Sequence, residues 1–141
     1  SLTEDESKSH FAIWSILASP LIMSNDLREL PEWAVKILRN KEIIAVDQDV
    51  MGKQGIRITP FEETRSVWAR PLANGDVAVA LHNHGEEVVD IPLDFKIIGN
   101  RMKYSLRDLY EHEELGEFEG RYVAKSVPVH GVQMLRLTPI A

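Results

Sequence analysis

The pattern of apolar and polar positions changes character once along the chain. Up to about residue 50 it follows helical spacing, and from Gly55 onward it alternates every two residues. Thr3 and Glu6 form a capping box, with Glu4 and Asp5 adding negative charge at the positive end of the helix. Phe11, Trp14 and Leu17, widened by Ile13 and Ile16, give a broad apolar stripe, so a helix is expected over 4–18 with these residues buried. Pro20 then breaks the helical pattern. Leu21, Ile22 and Met23 follow as a short continuous apolar run, the signature of a strand buried on both faces. Ser24, Asn25 and Asp26 end it with turn chemistry. Pro31 suits a first helical position, and Trp33, Ala34, Ile37 and Leu38 give a second amphipathic helix, with Asn40 as its expected C-cap. Residues 41–46 fit a further helical turn or a short strand, with the helical turn preferred, and 47–55 (DQDVMGKQG) reads as a polar linker open to proteolysis.

Beyond the linker, strands are expected over 55–60, 65–71, 76–84, 87–93, 102–110, 120–127 and 132–137. Asn74-Gly75 is a strong hairpin signal, because both central residues of a type I′ turn need positive φ. The 87–93 strand is expected to pair with 76–84 across a turn at Gly85. Short strands at this spacing argue an antiparallel sandwich or barrel, and the 53–141 piece is long enough to fold as a sandwich of its own. The fold class is thus mixed: a helix-strand-helix slice of an α/β domain over 1–52, then an all-β antiparallel sandwich over 53–141. One buried strand leaves both its edges unpaired, so the first piece is expected to be the end of something larger. Its apolar faces are expected to lie uncovered unless they dock on the sandwich or on another copy, which makes self-association through this piece an expected partner mode.

Composition narrows the function classes. The 141 residues carry a net charge of −6, which leaves no basic footprint for nucleic acid. No apolar run approaches the roughly twenty residues a membrane span needs. There are no cysteines, which excludes a thiol nucleophile and a thiolate metal site.

The candidate chemistry is thin. Asp26, with Asn25, would stand just past the C-terminal end of the buried strand, where α/β barrels build their sites, although Asn-Asp there is also ordinary turn chemistry. Asp47 and Asp49 resemble a glycosidase carboxylate pair but sit in a linker with no sign of burial. His82 and His84 share a strand face and could begin a metal site, but no third ligand is evident and a solvent-facing strand end is the preferred reading. Residues 111–114 (EHEE) do not match a zinc helix motif and read as a solvated turn, His130-Gly131 as a loop. Trp14, Trp33 and Trp68 could stack on a sugar, yet their places in apolar stripes favour packing. Residues 52–55 (GKQG) are too short for a phosphate loop. No nucleophile, base and orienter set can be assembled, so no catalytic residue, metal ligand or cofactor is assigned.

Several stretches do resemble a known family. Residues 10–28 (HFAIWSILASPLIMSNDLR) and 41–55 (KEIIAVDQDVMGKQG) look like the C-terminal end of the α-galactosidases, family 27 of the retaining glycoside hydrolases. So do VWARPL at 67–72, NGDVAVA at 74–80, RDLY at 107–110 and VHGVQMLRLTP at 129–139. Val50-Met51 stands where the family usually has Pro-Leu. The resemblance implies a (β/α)8 barrel followed by an antiparallel β-sandwich. Residues 1–52 would be the barrel's last helix-strand-helix, with 21–23 as its eighth strand, and 53–141 the C-terminal domain. It implies an α-galactoside substrate, bound through upstream barrel strands that also hold both catalytic aspartates. Asp26 would then lie at the barrel rim without being one of them. The resemblance also leans toward an extracellular or periplasmic location. The alternative is an independent carbohydrate-binding or protein-interaction sandwich, which would be expected to expose a row of aromatics.

Overall fold

The computed structural model describes residues 3–17, 32, 36–37, 39–49, 51, 53–59 and 64–141. The expected strand at 21–23, Asn25, Asp26 and Trp33 lie outside the described residues, as does most of the second expected helix, of which Glu32, Lys36 and Ile37 are helical.

Helix α1 (Glu4–Ile16) starts at the capping box: the Thr3 hydroxyl accepts from the Glu6 N–H at 3.1 Å, and the Glu6 carboxylate accepts from the Thr3 N–H at 2.9 Å. Its buried face differs from the expected stripe. Ser9, Phe11, Ala12, Ser15 and Ile16 are buried, whereas Trp14 is 45% exposed. Phe11 and Ile16 of the expected stripe do turn inward, and the small residues Ser9, Ala12 and Ser15 beside them let the helix lie close to its neighbour. Helix α2 (Lys41–Asp47) is capped at its start by Asn40, whose side chain accepts from the Glu42 and Ile43 N–H groups. Asn40 therefore begins a helix here, where the sequence pattern had it ending one; its short acceptor serves either end, and the following Glu42 favours the start.

The β region forms two antiparallel sheets. Strands β1 (Ile56–Arg57), β2 (Arg65–Pro71), β3 (Val77–Asn83), β5 (Lys103–Asp108), β6 (Glu113–Glu119) and β8 (Val132–Pro139) make a six-stranded sheet in the order β1-β2-β3-β8-β5-β6. Strands β4 (Val89–Asp94) and β7 (Arg121–Val127) make the second. Asn74 and Gly75, with φ of 65° and 81°, make the β2–β3 turn in the expected left-handed region. Two expectations need correction. The 87–93 segment pairs with β7, not with β3. The reason is Asn83, buried at the end of β3: its amide donates to the carbonyls of Glu87 and Val127 at 2.7 and 3.1 Å and carries the chain across to the other sheet. Of residues 111–114, Glu111 and His112 form the expected exposed turn, but Glu113 and Glu114, also exposed, already belong to an edge strand that was not expected, with Leu115 and Phe118 packed inward.

Between the sheets lies one apolar core, built from Val67, Val79, Leu81, Leu106, Leu135 and Leu137 on one side and Ile91, Leu93 and Phe95 on the other. The opposite face of the six-stranded sheet is also covered. Phe11, Ala12 and Ile16 of α1, with Ile37, Ile43 and Val46, pack on Leu72, Ala78, Ala80, Leu109 and Met134. The helical piece thus docks on the sandwich, the first of the two routes by which its apolar faces could be covered. The expected linker 47–55 is anchored at its two ends. Asp47 and Gly55 are buried, and the Gly55 N–H donates to the Ile16 carbonyl at 2.8 Å. A Cβ at Gly55 would lie 2.5 Å from the Ala69 carbonyl oxygen and 2.6 Å from Ile16, so only glycine fits this approach.

Candidate functional site

The polar side chains worth a chemical reading gather where the helices meet the six-stranded sheet. The outer-face register explains why. On β2, Ser66, Trp68 and Arg70 stand opposite His82, Ala80 and Ala78 of β3, and Arg57 of β1 stands opposite Trp68. Alternation along the strands sends these residues toward α1 and α2 while their neighbours fill the inner core.

Histidines line this seam. The rings of His82 and His84 stack with centroids 5.5 Å apart. His82 is half-buried, not solvent-facing as its strand-end position suggested. Burial, and then the nearby His84, His10, His130 and Arg57, lower its pKa from the ordinary 6.5 to about 4. His130, in the β7–β8 turn, brings Nδ1 to 3.0 Å from the Glu6 carboxylate, and its carbonyl accepts from the Ser9 hydroxyl at 2.7 Å. The Glu6 carboxyl titrates below its usual range, through the Thr3 backbone and side-chain bonds first and His130 after them. At the other end of the seam, Arg107 forks onto Glu42 at 2.8 and 3.1 Å and reaches Glu114 at 3.0 Å, with His112 Nδ1 3.4 Å from Glu42. Arg107 accordingly holds the Glu42 carboxyl below its usual value. The Tyr110 hydroxyl donates to the Lys8 carbonyl at 2.7 Å, and its burial pushes the phenol up.

None of the expected pairs assembles into a reaction centre. Asp47 is buried with Oδ2 accepting from Gln48 and Oδ1 without a partner, while Asp49 Oδ1 accepts from the Met51 and Ala73 N–H groups at 2.9 and 3.0 Å. Asp49 therefore ties the segment to the start of the hairpin. Glu114 and His112 belong to the Glu42 network. Trp14 leans on His10, with centroids 6.0 Å apart. Trp68 is half-buried, donates to the Ser66 hydroxyl at 3.0 Å, and carries the Arg57 guanidinium over its ring. Of the 52–55 stretch, Gly55 serves close packing. Among the described residues no group of three or more His, Asp or Glu is placed to hold a metal ion. Sequence reading missed Arg70, whose fully buried guanidinium meets the ends of both helices. The available signal was a basic residue alternating in register with Trp68, on the face opposite Val67 and Ala69.

Among the described residues the seam is made of structural ties that join the helices to the sheet. The profile of the α-galactosidase C-terminal β-sandwich domain matches residues 62–137. The chain belongs to the α-galactosidase family. A second family profile, described as α-galactosidase A, matches residues 1–49, so the helical piece corresponds to the end of the family's barrel. α-Galactosidase 3 of Arabidopsis thaliana is 35% identical over 142 residues, covering 98% of this chain and 32% of that protein. Among solved structures of the family, α-galactosidase I from Mortierella vinacea superposes with a TM-score of 0.91 at 29% identity, over 99% of this chain and 37% of that one. A family 27 β-L-arabinopyranosidase from Geobacillus stearothermophilus superposes at 0.90 with 27% identity, over 99% of this chain and 31% of that one. The chain spans about a third of the length of the curated α-galactosidase relatives it matches.

Proposed function

We propose that this chain is the C-terminal part of a retaining α-galactosidase-like hydrolase that removes terminal α-linked galactose from oligosaccharides or glycoconjugates. In this reading residues 1–52 close the catalytic barrel and 53–141 are the supporting sandwich. The carboxylates that act on the sugar come from the barrel outside this chain, and Asp26 lies at the rim of that site without a catalytic role. The observation that carries the reading is the continuous match of both pieces, in order, over 98% of the chain to a protein named as an α-galactosidase. Retaining hydrolysis needs two carboxyl groups about 5 Å apart, and Asp47 and Asp49 are instead engaged in local ties. Self-association would use the helical piece, where among the described residues Trp14 and Met51 are exposed large apolar side chains.

Two assays test this. The isolated chain should show no hydrolysis of an aryl α-galactoside above a boiled control. A chimera in which the chain replaces the matching third of Arabidopsis α-galactosidase 3 should fold and hydrolyse that substrate. A soluble, folded chimera without activity would count against the reading.

A further inference from the structure

Arg70 is buried to 1% exposure on the outer face of β2, and no carboxylate is among its described partners. Four backbone carbonyls surround it instead. Nη1 donates to Ser15 O at 3.2 Å, to Asp47 O at 3.1 Å and to Val46 O, while Nε donates to Lys53 O. Ser15 belongs to the last turn of α1, and Val46 and Asp47 to the last turn of α2. These are the carbonyls that a helix leaves without intrahelical donors, at the negative end of its dipole. Neither helix carries a basic residue of its own in that turn. Nη1 shares its two hydrogens among three of these carbonyls, and the carbonyl dipoles of two helices take the place of a counter-ion beside the buried cation. The small residues Ala78 and Ala80 beneath, and the close approach of Gly55, leave room for both helix ends to converge on one side chain.

We propose that Arg70 is a latch: a single C-terminal cap, supplied by the sandwich, shared by both helices. Through it the helical piece and the sandwich unfold together rather than as a loose remnant and an independent domain. The inference concerns this chain's own cooperativity and stands apart from the reading of its function.

Amide hydrogen exchange on the intact chain tests it. In the unmodified protein, protected amides in α1 and α2 should open only with the whole molecule, at the same rate limit as those of β3 and β8. In Arg70→Met, the α1 and α2 amides should exchange about ten- to a hundredfold faster by local opening, with β4 and β7 keeping their protection. Arg70→Lys, which keeps the charge and part of the donor set, should give a smaller shift confined to the same segments. Independent local opening of the helices in the unmodified chain would overturn the proposal, and that measurement decides even if Arg70→Met does not fold. So would a uniform loss of protection in either variant, which would make Arg70 an ordinary core residue, or no change at all.

Discussion

The six-stranded sheet has two covered faces, and they are held in different ways. The inner face meets the second sheet through branched and aromatic side chains, among them Val79, Leu81, Ile91, Leu93 and Phe95, and its stability is an area effect. The outer face meets the helices over alanines, and much of its holding is directional: Arg70 to helix-end carbonyls, Asn40 to Leu109, Ser9 to His130, Tyr110 to Lys8. A buried apolar face chooses a partner by shape and size alone. A face of small residues ringed by hydrogen bonds fixes one orientation of what lies on it. The inner core makes the sandwich fold, and the outer layer sets where the helices end.

Removing residues 1–52 attacks this difference most strongly. A self-sufficient sandwich would gain solubility from the deletion. Losing the cover over Leu72, Leu109 and Met134 instead forfeits roughly 1.5–3 kcal/mol for each and exposes an apolar sheet face. We expect the truncated chain to aggregate or fail to fold, as soluble yield and sedimentation velocity will report. Undiminished solubility and a two-state melt would place all the stability in the inner core.

Point substitutions come next. Leu81→Ala on the inner face and Ile43→Ala on the outer should each cost about 2–5 kcal/mol in urea unfolding, as for other buried aliphatics. Under coupled unfolding both lower the circular dichroism and tryptophan transitions together. If Ile43→Ala moves only the helical signal, the two layers are independent. Asn40→Ala removes the α2 cap and leaves the Leu109 carbonyl without its donor, at 3.0 Å in the structure. About 1–2 kcal/mol is expected, read as an earlier urea midpoint with unchanged slope.

The smallest effect is a pH dependence. His82 titrates at about 4 in the folded chain against an ordinary 6.5. As pH falls through that window the unfolded chain binds a proton that the folded chain does not, so stability is lost, and below about 4 the cost is complete. His84, His10, His130 and Arg57 face it with like charge. Glu6 and Glu42, held below their usual value, lose their contribution only as pH falls beneath 4.5. His82→Gln should therefore flatten the melting temperature between pH 6.5 and 4.5 while leaving the steeper fall below that range. An unchanged profile would mean that burial does not hold the histidine neutral across this range.

How legible these layers were follows from the same contrast. The inner core was readable because alternation along β3 marks Val77, Val79 and Leu81 as one face, and Asn74-Gly75 marks the turn. The outer layer was hidden for a physical reason. Bulk is the usual cue to burial, and α1 buries Ser9, Ala12 and Ser15 while leaving Trp14 exposed. The partner of β4 was illegible because the choice of sheet lies in one side chain, Asn83, bonding to backbone far along the chain. As for a site, the sequence offered scattered carboxylates and histidines. The structure engages those it describes in ties, and Arg70 emerged only when both helix ends were seen to meet it.

Strand β6 closes one end of the six-stranded sheet, and its exposed positions include Glu113, Glu114, Glu117 and Glu119. A sheet edge offers unpaired backbone groups to any passing strand. A second copy docking there in antiparallel register would bring glutamates against glutamates, which disfavours the pairing. At the far end β1 is only two residues long, too short a template to extend. The sheet is thus stopped by charge at one border and by brevity at the other. Acid strong enough to neutralise the glutamates, or salt strong enough to screen them, removes the first guard.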